Sequence, residues 1–225
     1  MPELGSHRSP EVAEGTTLLV PLGSTEQHGP HLPLDTDTRI AAAVARAAAA
    51  DRDDVLVAPA LPYGASGEHA GFAGTLSIGT EALHLVLVEL VRSHGPEFTR
   101  TVFVNGHGGN VEGVRSAVAQ LRDEGHDVTA WSPRVRGGDA HAGETETSLL
   151  LAIAPEVVRP DLAEPGDQRP LAEVMAELRR GGVRAVSDNG VLGDPTDASV
   201  EAGRATLAAL VADLVALLDG EEIDT

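Results

Sequence analysis

TTLLVPLGSTEQHGPHLPLDTDTRIAAAVARAAAA, residues 16–50, decides the architecture. Residues 16–23 are a short apolar run closed by a glycine, as in a strand buried within a parallel sheet. Residues 37–50 are alanine-rich and predict a helix. Between them, Glu26, His28, His31, Asp35 and Asp37 crowd into one loop. The strand–loop–helix unit then returns. Apolar runs at 54–64, 101–106 and 126–131 predict further strands. Helical patterns cover 81–95, 110–125, 145–155, 170–182 and 197–220, with Asn110 and Thr145 as N-caps. Such alternation implies right-handed crossovers and a mainly parallel sheet between helical layers, a three-layer α/β/α fold. No linker or repeat interrupts it, so we expect a single domain over 1–225, with 1–15 loosely ordered.

In open α/β sheets the active site lies beyond the carboxyl ends of the strands. Glu26 follows the first predicted strand, His69 the second, His107 the third and His141 the fourth. Residues two apart in an extended segment point the same way, so Glu26 and His28 can share a pocket. Asp37 alone would read as a helix cap; in this company it reads as a ligand. In NGHGGN (105–110) no GK[ST] follows and the chain holds no lysine, which removes a P-loop and leaves His107 as a ligand. GGDAHAGETETS (137–148) offers His141 for proton transfer, and alternation allows one of Glu144 and Glu146 to face inward. GASGEHAGFAGT (64–75) carries Glu68, a second candidate catalytic residue, on a glycine-rich loop that could close over substrate. His7, His84, His94 and His126 read as ordinary residues.

Composition narrows the chemistry. The net charge is −19 and all sixteen basic residues are arginine, a field that repels nucleic acid and anionic membranes. Aromatics at 2% leave no platform for stacking bases. Without cysteine there are no thiolate ligands, so a metal falls to imidazole and carboxylate, which suits Zn, Mn or Fe(II). The first residues lack a signal-peptide pattern and no apolar run would span a bilayer, so a cytoplasmic location is expected.

GSTEQHGPHLPLDTD, EHAGFAGT, VNGHGGN and HAGETETS, in this order and spacing, resemble the creatininase (creatinine amidohydrolase) family, and GVLGDPTDASVEAG (190–203) extends the likeness. The resemblance implies a two-metal amide hydrolase, assembled as a homo-oligomer such as a hexamer. It implies that Glu26 binds one ion with His107, His28 binds the other, Asp37 bridges them, and His141 is the catalytic histidine. Two departures stand out. Creatininase proper follows NGH with tyrosine and a ligating glutamate; here Gly108 and Gly109 stand there, and Glu146 is the expected replacement. Creatininase proper also places two tryptophans around creatinine, whereas Trp131 is alone here. LDTDTRIA, YGASGEHAGFAGTLSIGT and GGDAHAGETETSLLL carry a closer likeness to a branch that trims a modified precursor peptide, so the expected substrate is such a peptide. The alternatives are a small cyclic-amide or formamide hydrolase, and a metal-binding oligomer without turnover.

Overall fold

The structure, a computed structural model, describes residues 3–221; the ends of the expected 1–225 domain, residues 1, 2 and 222–225, lie outside the described residues. Strands β1 (Thr16–Leu22), β2 (Val55–Val57), β3 (Phe98–Asn105) and β4 (Val128–Trp131) form one parallel sheet in the order β2-β1-β3-β4. Side chains alternate across it, as the strand period requires. Leu19, Val102 and Val104 enter a core shared with α1 (Thr36–Ala48), α4 (Glu144–Ile153) and α6 (Val200–Leu218). Leu18, Val20, Leu22 and Phe103 enter a second core under α2 (Gly79–Arg92) and α3 (Val111–Asp123). The three-layer α/β/α expectation therefore holds. The chain before β1 carries two short 3-10 turns, and Glu3 bridges to Val57.

The differences have local causes. The strand expected over 54–64 stops at Val57, because Pro59 and Pro62 cannot donate to a ladder. Only single bridges, Leu22 to Leu61 and Gly64 to Ser77, continue its course. Asn110 occupies the N-cap position of α3 but makes no cap hydrogen bond, its side chain being used elsewhere. Gly143, not Thr145, precedes α4. α6 is capped as its sequence suggests, Ser199 Oγ accepting from Ala202 N at 3.2 Å.

β1 feeds β2 on one side and the sheet then continues through β3 on the other. The connections leaving β1 and β3 thus run to opposite sides and open a crevice at their carboxyl ends. The loops carrying Glu26 and His107 leave from these two strands.

Candidate metal centre

The crevice is closed by backbone contacts that set the loops in register. Asn110 is fully buried; its Oδ1 accepts from Ala65 N at 2.9 Å, and its Nδ2 donates to Gly23 O at 3.0 Å and Asn105 Oδ1 at 3.2 Å. One amide thus ties together the loops after β1, β2 and β3. Gly23 is required where α1 begins, since a Cβ there would lie 2.1 Å from Thr38 Oγ1 and 2.5 Å from Thr38 N. That approach brings Asp37, in the first turn of α1, under the β1 loop.

Glu26, His28, Asp37, His69, His107 and His141 are all buried and converge there, with Glu146 at the rim. His28 Nε2 lies 3.0 Å from Asp37 Oδ1 and 3.8 Å from Glu146 Oε2. His107 Nδ1 lies 3.1 Å from Asp37 Oδ2, and its Nε2 lies 3.2 Å from Glu26 Oε2. Three donor sets fall within 4.8 Å: Glu26, His28 and Asp37; His28, His141 and Glu146; Glu26, His69 and His141. Asp37 is oriented by Ser24 Oγ, which donates to Oδ2 at 2.8 Å. His28 Nδ1 donates to Glu26 O at 3.1 Å, which leaves Nε2 as the nitrogen that could ligate a metal. His141 Nε2 donates to Gln27 O at 2.8 Å, so Nδ1, 3.9 Å from Glu26 Oε1, carries the lone pair. Ala142, next to it, is the one non-glycine residue with a left-handed φ, +53°, among the described residues. Its N–H donates to Glu146 Oε2 at 2.6 Å, which aims that carboxylate at His28.

The residues fit a cation. Both buried oxygens of Glu26 lack an aligned hydrogen-bond donor while three imidazoles lie within 3.9 Å of them. Burial, and then the charge of Asp37, push the Glu26 carboxyl up from its ordinary value. Burial also raises Glu146, with Asp37 adding to it and His28 opposing. Burial opposes charging His28, but Asp37 outweighs it and lifts its pKa to about 10. Burial similarly opposes His107, which Asp37 and Glu26 lift to about 9. Despite its burial, Asp37 is held well below the usual carboxylate range by His28 and His107. Protons on these two imidazoles thus do, in the metal-free protein, what divalent cations would do better. Burial and the nearby His28 charge keep His141 neutral, and burial with His107 takes His69 down to about 3.

The cluster contains every ligand named from the sequence: Glu26, His28, Asp37, His107 and Glu146, with His141 beside them. Glu146 faces inward and Glu144 is exposed. Glu68 sits on the rim, its Oε1 3.6 Å from His107 Nε2. That carboxylate fills the space above Gly109, where a Cβ would lie 2.5 Å from Glu68 Oε1. His31 and Asp35 lie apart: His31 Nε2 meets Thr147 Oγ1 at 2.8 Å, and Asp35 pairs with Arg39 at 2.7 Å. Trp131 is not available to a substrate. It is 3% exposed and its Nε1 donates to Asp213 Oδ2 at 2.6 Å. The 64–75 loop is tethered: Gln27 N donates to Thr75 Oγ1 at 3.3 Å, and Arg184 Nη1 donates to Gly71 O at 3.0 Å. Two participants were not assigned from sequence, His69 and Gln27. Gln27 Nε2 lies 2.9 Å from His69 Nδ1 and 3.0 Å from Gly190 O. Those contacts use both amide protons and fix the His69 ring with its Nε2 3.3 Å from Glu26 Oε1, out of line for a hydrogen bond.

A parallel α/β sheet with buried carboxylates and imidazoles at its switch point defines a metal-dependent hydrolase. The creatininase profile (creatinine amidohydrolase) matches residues 6–218, and the chain belongs to that family. Among curated relatives, the mycofactocin precursor peptide peptidase of Mycobacterium ulcerans (strain Agy99) is 56% identical over 223 residues, 95% of this chain and 89% of the relative. The protein of the same name from Mycolicibacterium smegmatis (strain ATCC 700084 / mc(2)155) is 59% identical over 201 residues, 86% of this chain and 81% of the relative. Among solved structures, one described as creatininase Mn superposes with a TM-score of 0.78 at 26% identity, covering 97% of this chain and 98% of its own. A mutant creatininase of Zn–Zn type gives 0.73 at 28% identity, covering 92% and 90%.

Proposed function

We propose that this chain hydrolyses the amide joining a modified, decarboxylated Val-Tyr unit to the body of the mycofactocin precursor peptide, using two divalent ions, Zn, Fe(II) or Mn, per subunit. The observation that carries the metal-dependent chemistry is Glu26, whose buried oxygens have no aligned donor amid three imidazoles. The relatives at 56% and 59% identity support the peptide substrate. In this reading Glu26, His28, Asp37, His107 and Glu146 would hold the ions. Ions so held would supply a water acidic enough to ionise near neutrality and a Lewis acid for the scissile carbonyl. Glu68 Oε1, on the partly open rim, takes the proton of the attacking water. His141, neutral with its Nδ1 lone pair toward Glu26, accepts at Nδ1 the proton that Glu68 removed from the water and delivers it to the leaving amine, which restores both groups. Gln27 O fixes the tautomer that this transfer requires. Mass spectrometry of the modified precursor peptide incubated with metal-loaded protein should show loss of the C-terminal unit. An unchanged peptide beside brisk creatinine opening would overturn the proposal.

We further propose a homo-oligomer, as the family resemblance implies. Among the described residues no helix is long and apolar enough to cross a membrane.

A further inference from the structure

Helix α5 (Leu171–Gly181) does not bury its apolar stripe in either core. Only Val174 is fully buried, and Leu171 remains 46% exposed. Leu171, Met175 and Leu178 recur at one-face helical spacing, and all three line a cavity of about 380 Å³. Val183 and Leu192 complete its apolar wall. The opposite wall is the catalytic cluster: Glu26, His69, His107 and His141. Its volume is in the range of ligand pockets, about 300–1,000 Å³. A second cavity, of about 500 Å³, flanks the cluster on the Glu146 side and is lined by Arg134 and Arg136. The two share Gly108, Ala140 and Leu171, so they are two arms of one groove across the site.

The arms are unlike, and the chemistry distinguishes them. His141, the proton donor to the leaving amine, lines the α5 arm and is absent from the arginine arm. The leaving amine and whatever it carries therefore occupy the α5 arm, and the acyl side lies along Arg134 and Arg136. We propose that Met175 and Leu178 of α5 form a specificity wall for the leaving group, selecting a bulky, uncharged, apolar amine. This rests on the amide-hydrolase reading above. A terminal carboxylate is disfavoured in this arm, because the apolar wall of Leu171, Met175, Leu178, Val183 and Leu192 would strip its hydration and Glu68 lines the arm. Arg179, exposed at the mouth, is the one guanidinium in this arm.

The test uses metal-loaded protein and three N-acetylglycyl amides: of tyramine (bulky, neutral), of methylamine (small) and of tyrosine (carboxylate-bearing). Binding is measured by calorimetry, and kcat/KM wherever cleavage occurs. Wild type should prefer the tyramide. Met175→Glu and Leu178→Glu should each weaken tyramide binding about tenfold or more and leave the methylamide unchanged. Ala176→Glu, the same added charge on the exposed side of α5, should leave both unchanged. Metal content and thermal unfolding, followed in parallel, confirm an intact site. If the glutamate variants fail to fold, Met175→Ala and Leu178→Ala carry the comparison with a smaller selective loss. Equal losses for tyramide and methylamide, or tightest wild-type binding of the tyrosine amide, would overturn the assignment, the latter making Arg179 the reader. Tyramide selectivity without cleavage of the precursor peptide would sink the peptide reading and leave the wall standing.

Discussion

Replacing Gly109 by alanine should disable the centre, whereas the same change one residue earlier should not. A Cβ at 109 would lie 2.3 Å from Ala65 O, 2.4 Å from His107 Nε2 and 2.5 Å from Glu68 Oε1. All three are well inside van der Waals contact. Glu68 can swing outward, but Ala65 O is backbone, and its residue is held by the hydrogen bond that Ala65 N donates to Asn110 Oδ1. The strain must therefore fall on His107, which is wedged between Glu26 and Asp37. Overpacking of this kind costs about 1–3 kcal/mol. Moving a ligating imidazole by about 1 Å costs on the order of a hundredfold in turnover. Gly108 has nothing within 4 Å of its Cβ position, so Gly108→Ala controls for lost backbone freedom alone. Metal content by elemental analysis, thermal unfolding and kcat/KM on the peptide substrate measure the pair. A Gly109→Ala protein with wild-type metal content and activity would show that the space above Gly109 is not part of the working site.

Asp37→Ala and His107→Ala should each abolish turnover while circular dichroism stays native; near-normal activity in either variant would remove that residue from the ligand set. Glu146→Gln should lose metal and Glu144→Gln should retain it, since only the former faces His28; equal losses on elemental analysis would refute the assignment. His28 and His107 have pKa values raised to about 10 and about 9 in the metal-free protein. Their contribution to stability is therefore complete below their ordinary value of about 6.5 and lost as pH rises through about 9–10. A metal must displace those same protons, so its affinity should weaken as pH falls, and binding should release about two protons. Calorimetry in two buffers of different ionisation enthalpy reads that release, and identical heats in both would contradict it.

The sheet was legible because buried parallel strands and glycine punctuation are local signals: residues 16–23 sit on the observed β1 almost residue for residue, and 101–106 sit on the buried second half of β3, which begins three residues earlier at Phe98. The reach of β2 was not, since apolar composition continued through 58–61 while the prolines had already ended the ladder. Gln27 was passed over because alternation assigns it to the side away from Glu26 and His28. That rule presumes one solvent face, and here Gln27 is buried as well, against His69. Asn110 looked like a helix cap from its position, yet three loops compete for its amide and win. The pairing of Glu68 with Gly109 was invisible because it depends on how far apart the loops after β2 and β3 stand, which no single segment encodes. Trp131, an aromatic near the chemistry in sequence, is committed to the core and to Asp213, which the sequence does not show.

The placement of the site follows from the same topology that makes it costly. Three carboxylates, Glu26, Asp37 and Glu146, share one pocket, and Glu26 does so without an aligned hydrogen bond. An unmet buried polar group costs about 1–3 kcal/mol, and more when charged. No strand interior could hold such a group, because its backbone partners are already used in the ladder. The switch point between β1 and β3 is different: the connections diverge there, side chains from separate loops meet, and a cation can enter from the groove. A bound divalent metal would thus do more than chemistry here. It would neutralise the charge that the fold concentrates, so that metal loading and folding stability are one linked equilibrium.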